Sequence, residues 1–182
     1  MRINFYLAAA AATFAVATPA LAQQVTATGN PVAKGVVVLP LTLSKTADLD
    51  FGTVIASPTV AGSVTISPDD GSRAVTGGVV GVPAQPGGRA LFQGAGTADQ
   101  QVLLTLQAPA TLSNGSTTIN VVSMVFDTGA VSVPDALGNQ TTTRTIDGTG
   151  AFQVGVGGTF AIKANQANGL YSAPFIVTAD YQ

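Results

Sequence analysis

The chain has 182 residues and a formal net charge of −2, and only 9% of its residues are charged. It contains no histidine and no cysteine, which excludes imidazole bases, thiolate nucleophiles, disulfides and zinc sites with the usual ligands. Seven Lys and Arg against nine acidic residues do not form the clustered positive charge that nucleic acids require. We therefore expect no enzymatic activity, no cofactor, no metal and no nucleic-acid partner.

Residues 1–22 have the pattern of a secretory signal peptide. Arg2 supplies the positive charge, an alanine-rich apolar run extends from Leu7 to Val16, and Ala20-Leu21-Ala22 matches a cleavage site. No later apolar stretch approaches the roughly 20 residues that cross a bilayer. We predict an exported mature chain without a transmembrane segment; an uncleaved anchor is the alternative.

Residues 23–35 form a short, polar, glycine-punctuated extension that precedes the domain. Within it, Val25, Ala27 and Gly29 alternate with Thr26 and Thr28, and side chains alternate between the two faces of a strand. This segment can therefore form a strand with one weakly apolar face.

Residues 36–182 read as a single all-β domain. Short segments rich in β-branched residues recur between turn signals such as Pro68-Asp69-Asp70-Gly71 and Ser113-Asn114-Gly115, with no helical period between them. This pattern predicts an antiparallel β-sandwich or barrel. The predicted strands are Val36–Ser44, Leu49–Ile55, Gly62–Ser67, Arg73–Val82, Ala90–Gln93, Gln101–Gln107, Thr117–Asp127, Thr141–Asp147, Ala151–Val156, Thr159–Ala164 and Tyr171–Tyr181.

Two motifs could carry chemistry, and each has a simpler interpretation. Asp48 and Asp50 could hold a cation or act as a carboxylate pair, but the alternation favours Leu49 and Phe51 pointing inward with both aspartates in solvent. The glycines of residues 155–158 lack the Lys-Ser/Thr of a phosphate loop. Bulges or close contacts within a sheet explain them better.

The C-terminal strand alternates throughout its length. Ser172, Ile176 and Thr178 belong to an outer face that is polar apart from Ile176, and the opposite face is apolar. That apolar face is built for a core. Its members are Tyr171, Ala173, Phe175, Val177, Ala179 and Tyr181.

Gly169, fourteenth from the end, and Tyr181, second from the end, give this strand its resemblance to the subunits of bacterial chaperone-usher pili. A second resemblance rests on four segments, Asp48–Val54, Gly62–Ile66, Arg89–Gly94 and Val102–Leu106. Here the chain is similar to an exported bacterial family known as a domain of unknown function, DUF4402, which is related in design to pilin and spore-coat subunits. The cysteine pair of most pilins is missing.

These resemblances imply an incomplete immunoglobulin-like sandwich that a donor strand completes. A periplasmic chaperone would bind Gly169 and the apolar face of the C-terminal strand, and an outer-membrane usher would be the other export partner. The extension of the next subunit would then replace the chaperone. The preferred donor is Gln23–Ala33, with Val25, Ala27 and Gly29 facing in. The other is Val36–Leu43, with Val36, Val38 and, after a shift at Pro40, Leu41 or Leu43 as anchors.

The sequence thus predicts a structural subunit of a surface fibre, with a possible part in adhesion. It would reach the surface of a Gram-negative-type bacterium through the periplasm, and its partners would be identical or related subunits. The alternative is a monomeric secreted or cell-surface adhesin whose sandwich is already complete, with residues 23–35 folded back as its last strand.

Overall fold

The structure is a computed structural model that describes Gly29 and residues 32–127, 133–134 and 139–182. The chain divides into two compact units, Met1–Val36 and Val37–Gln182. The predicted signal peptide and the donor residues Val25 and Ala27 lie outside the described residues. Within the described ranges, no helix is long and apolar enough to span a bilayer.

The described part of the second unit is built from short strands. The longest one is near its C-terminal end, and most others have three to seven residues. The strands are β1 (Thr42–Ala47), β2 (Val54–Ala56), β3 (Gly62–Ile66), β4 (Arg73–Gly77), β5 (Val79–Gly81), β6 (Ala90–Ala95), β7 (Gln101–Gln107), β8 (Thr111–Ser113), β9 (Thr118–Phe126), β10 (Val133–Pro134), β11 (Gln140–Thr145), β12 (Ala151–Ile162) and β13 (Ile176–Tyr181).

The strands of this unit pair in antiparallel fashion, as the sequence predicts. The first sheet has the order β1-β6-β12-β3-β4, with β9 also paired to β12 and β8 paired to β9. The second sheet has the order β10-β11-β7-β13, and β2 and β5 form a separate two-stranded ribbon. The all-β, antiparallel prediction is therefore confirmed.

The core lies between the inner faces of the two sheets. In β7, Val102, Leu104 and Leu106 are fully buried and alternate with more exposed neighbours. They pack with inward residues of β6, β9 and β12. A second, smaller cluster at the β3 end contains Val64, Val79, Ile119, Phe160 and Ile162.

The turn predicted at Pro68-Asp69-Asp70-Gly71 joins β3 to β4 in a hairpin. Gly71 has a positive φ of 75°, and the Ser72 N–H donates to Asp70 Oδ1 at 3.0 Å. Hydrogen bonds from the Ser72 backbone and the Ser67 side chain lower the pKa of Asp70 to about 2, because they stabilise its charged form. The turn residues thus stabilise the hairpin through hydrogen bonds to their near neighbours in sequence, as the sequence pattern indicates.

The predicted interruption between Val156 and Thr159 is wrong, because β12 runs through it without a break. A Cβ placed on Gly157 would lie 2.3 Å from the Ile66 oxygen and 2.5 Å from the Pro68 nitrogen. The glycine therefore permits a close approach of neighbouring backbone, as one of the two sequence interpretations of this motif predicts. A bulge follows between Thr159 and Phe160.

Two predicted strands near the start of the domain are too long. Val36–Ser44 is a strand only from Thr42, because Val36–Leu39 lies outside the described ladders and Pro40 has no N–H to donate. Leu49–Ile55 is a strand only at Val54 and Ile55, where β2 begins, although Asp50 forms an isolated bridge with Gly88.

The C-terminal strand is also shorter than predicted, since β13 begins at Ile176. Ser172 instead forms an isolated bridge with Ser113 of β8, and Pro174 cannot donate to a ladder. The short strands β8 and β10 are additional to the predicted ones. The last residues therefore contact the first sheet before they enter the second.

Candidate functional site

Two edge strands of the sandwich lie side by side without pairing. Among the described residues, β1 pairs only with β6, and β13 pairs only with β7. Cα atoms of β1 and β13 nevertheless approach within 8 Å. Two strands that flank a third would stand about 9.5 Å apart, so the space between these edges is narrower than one strand requires.

The outer edge of β13 presents backbone hydrogen-bonding groups that pair with no strand among the described residues. The Gln182 N–H donates to the Gln101 oxygen at 3.0 Å, which makes these opposed residues a hydrogen-bonded pair. Such pairs alternate along an antiparallel ladder. The residues that turn their N–H and C=O groups away from β7 are therefore Val177, Ala179 and Tyr181.

The inward side chains of both edges are only half-buried, although they pack against the main core. We call this line of contact the seam. On the β1 side it consists of Leu41, Leu43 and Leu49, and on the β13 side of Phe175, Val177, Ala179 and Tyr181. The residues predicted to form the apolar face of the C-terminal strand are all half-buried, and their neighbours from Ser172 to Gln182 are exposed.

The seam widens at its Phe175 end into a cavity of about 910 Å³. Two edge-to-face aromatic pairs support its walls: Phe51 with Phe160, with ring centroids 4.5 Å apart, and Phe92 with Phe175, 6.1 Å apart. The cavity has the volume of many ligand sites and a mostly apolar lining, which includes Leu49, Phe51, Leu112, Phe160, Tyr171 and Phe175.

At the opposite, narrow end of the seam, the Tyr181 side chain links β13 by hydrogen bonds to two other segments of the chain, at Leu39 and Thr97. Its hydroxyl donates to the Leu39 oxygen at 2.8 Å and accepts from the Thr97 N–H at 2.7 Å. The Leu39 N–H in turn donates to Thr97 Oγ1 at 2.6 Å. The hydroxyl fits because residue 96 is glycine; a Cβ there would lie 2.3 Å from it.

At the wide end of the seam, the Tyr171 hydroxyl donates to the Ala167 oxygen at 2.7 Å and lies 2.7 Å from Thr117 Oγ1. Gly169, two residues earlier, has a φ of +143° and is exposed. A Cβ at Gly169 would meet the Asn114 side chain at 3.0 Å. Glycine is therefore favoured at position 169, because both the positive φ and the nearby Asn114 side chain disfavour a Cβ there.

Asp48 and Asp50, the two aspartates of the predicted alternative site, each have a partner close in sequence. Asp48 pairs with Lys45, and Asp50 Oδ1 accepts from the Gly52 N–H at 2.8 Å. Both are exposed, while Leu49 and Phe51 between and after them are half-buried, as the simpler interpretation predicts. Within the described ranges, no group of three or more acidic residues could hold a metal ion.

The structure describes only part of the candidate donor segments. Gly29 is exposed and has a φ of +110°, which is a conformation that glycine tolerates best. Of the second candidate, Leu41 and Leu43 pack into their own core, whereas Val36 and Val38 do not belong to either core cluster. The second candidate donor, Val36–Leu43, is thus packed into the core at its C-terminal end but not at Val36 and Val38.

A family model described as Domain of unknown function (DUF4402) matches residues 41–181, which span every strand of the second unit. The chain belongs to this family. Neither the comparison with curated proteins nor that with solved structures finds a match for the DUF4402 chain. The matched residues begin at Leu41 and end at Tyr181, so they include both sides of the seam.

Two features of the seam are not evident in the sequence. Alternation marks the inward residues of β13 but does not reveal that β1 is the strand facing it across the seam. The bonds of Tyr181 to Leu39 and Thr97 join residues 142 and 84 positions apart. The only sequence signal for them is Gly96, and a glycine at that position is equally typical of an ordinary turn.

Proposed function

We propose that this DUF4402 protein is a structural subunit of a bacterial surface fibre, and that a strand from another subunit closes its seam. The observation that carries the proposal is the outer edge of β13. There Val177, Ala179 and Tyr181 carry half-buried apolar side chains, and their N–H and C=O groups on this edge pair with no strand among the described residues. Strand addition satisfies backbone and side chains together.

A closing strand would have to widen the seam, because its edges are now too close. No ladder joins β1 to β13 within the described ranges, so widening separates side chains and breaks no ladder, and at the narrow end it breaks the hydrogen bond from the Tyr181 hydroxyl to the Leu39 oxygen. The cavity beside Phe175 already provides space at one end. Insertion from the wide end towards Tyr181 is therefore the favoured path.

The subunit would be exported through the periplasm by its signal peptide. A chaperone would protect the seam there, and an usher would release the subunit into the fibre. Because one subunit donates its strand and a different surface of the next accepts it, the contact is head-to-tail and produces an open polymer. The sequence favours Val25, Ala27 and Gly29 as the donor face.

The test compares the mature chain with a variant that lacks residues 23–38. We expect the full mature chain to form fibres and multimer bands that resist mild detergent. The shortened variant should keep its circular dichroism spectrum and thermal transition but remain monomeric. A full chain that stays monomeric over a wide concentration range would instead support the self-complete adhesin and contradict this proposal.

A further inference from the structure

The described residues before β1 carry a run of apolar side chains that the described part of the chain leaves uncovered. The exposed fractions are 74% for Val32, 84% for Val36, 96% for Val37 and 63% for Leu39. A contiguous stretch of exposed valines is unusual on a soluble protein and marks an interaction site. Valine also has a high preference for strands.

Two prolines bracket this run and limit the strand it can form. Pro31 and Pro40 lack an N–H, and proline is excluded from the middle of a strand that pairs on both edges. Residues 32–38, the part of the proline-free stretch before Leu39, would extend about 23 Å as a strand. That length matches the seam, whose β13 side has six paired residues, about 20 Å.

We propose that residues 32–38 of a second copy of this chain form the strand that closes the seam. This inference rests on the proposed function and assigns the donor strand to residues 32–38 instead of Gln23–Ala33. The sequence favours Gln23–Ala33 because Val36–Leu43 is expected to serve as the opening strand. The opening strand begins at Thr42, so Val32–Val38 is not part of it.

The apolar area of the two faces decides which side chains enter the seam. Within residues 32–38, the even-numbered face offers Val32, Val36 and Val38, whereas the odd-numbered face offers only Ala33, Gly35 and Val37. Leu39, the next odd-numbered residue, is held by its backbone to Thr97 and Tyr181. Burial of three valines removes more apolar surface from water. Val36 and Val38 are therefore the anchors, and Val37 faces solvent.

Lys34 shares the even-numbered face and must keep its ammonium group in contact with water. Its long stem can lie along apolar surface while the charge reaches the rim. The exposed carboxylates of Asp48 and Asp50 lie at the rim of the wide end, beside the cavity. Lys34 of the incoming strand would thus bring a positive charge towards a wide end that carries the exposed carboxylate of Asp50, whereas Asp48 already pairs with Lys45.

The test compares Val36→Asp with Val37→Asp in the full mature chain. Both valines are largely exposed, so neither change should alter the folded monomer, which circular dichroism and thermal unfolding would check. We expect Val36→Asp to raise the dissociation constant of the multimers about a hundredfold or more, because it buries a carboxylate in the seam. Val37→Asp should change it by less than about threefold, since it remains in solvent.

A third variant, Ala27→Asp, separates this inference from the proposed function. It should leave assembly unchanged if residues 32–38 are the donor. Equal effects of Val36→Asp and Val37→Asp, or loss of assembly in Ala27→Asp alone, would overturn the inference while the fibre itself still forms. A wild-type chain that never assembles would instead remove the proposed function.

Discussion

The centre of the first sheet and the seam contain similar side chains but differ in how far these are buried. In β12, Val154 and Val156 are fully buried, and Val156 is paired on both edges, with Ala90 of β6 and Phe126 of β9. In β13, Val177 and Ala179 alternate just as regularly but remain half-buried. The alternation sets which face turns inward, and the elements that pack over that face set how well it is covered.

The largest expected effect comes from disturbing the centre. Gly157→Ala would place a Cβ against the Ile66 oxygen and Pro68, and this backbone cannot move without breaking the pairing of β12 with β3. We expect a loss of about 3 kcal/mol or more in the free energy of unfolding, measured by urea denaturation. Gly148→Ala is the control; a Cβ there meets nothing within 4 Å. Equal stability of the two variants would show that the close approach is unimportant.

A matched truncation of one valine in each region sharpens the comparison. Val154→Ala removes a fully buried side chain and should cost about 2–3 kcal/mol in the urea unfolding of the monomer. Val177→Ala removes a half-buried one and should cost about 1 kcal/mol. Similar losses at the two positions would mean that the seam is packed as tightly as the centre.

The smallest expected effect concerns the narrow end of the seam. Tyr181→Phe removes the hydroxyl that bonds Leu39 and Thr97 and should cost about 1 kcal/mol. Amide hydrogen exchange at Thr97 should accelerate accordingly. Thr178→Val, on the exposed outer face of the same strand, is the control and should change stability by less than about 0.5 kcal/mol. Unchanged exchange at Thr97 in Tyr181→Phe would contradict the linking role of the Tyr181 hydroxyl.

Local patterns predicted much of the fold and one side of the seam. The strand Gln101–Gln107 has the predicted bounds, because apolar residues alternate along it and turn residues flank it. The half-buried face from Tyr171 to Tyr181 follows the same alternation, even where the chain is not a strand. The Asp70-Gly71 turn was predictable because its hydrogen bonds form within a few residues.

The errors occurred where partners distant in sequence decide the outcome. Residues 155–158 look like an interruption until the backbone of Ile66 and Pro68 is brought against Gly157. Val36–Leu39 has the composition of a strand but lies outside the described ladders, because β1 meets β6 only from Thr42 onward. In both cases the local sequence favours the predicted structure, but residues distant in sequence decide which backbone segments lie together.

The sequence by itself determined which residues turn inward and where the chain turns, since these depend on the period of a strand and on the backbone of a few neighbouring residues. Only the tertiary structure decided that β13 pairs with β7 and not with β1. That choice is the reason a seam exists, because the two edges are held by separate sheets and are brought together by packing of the core. A sequence pattern describes a single strand, whereas the pairing of a strand edge depends on a second strand as well.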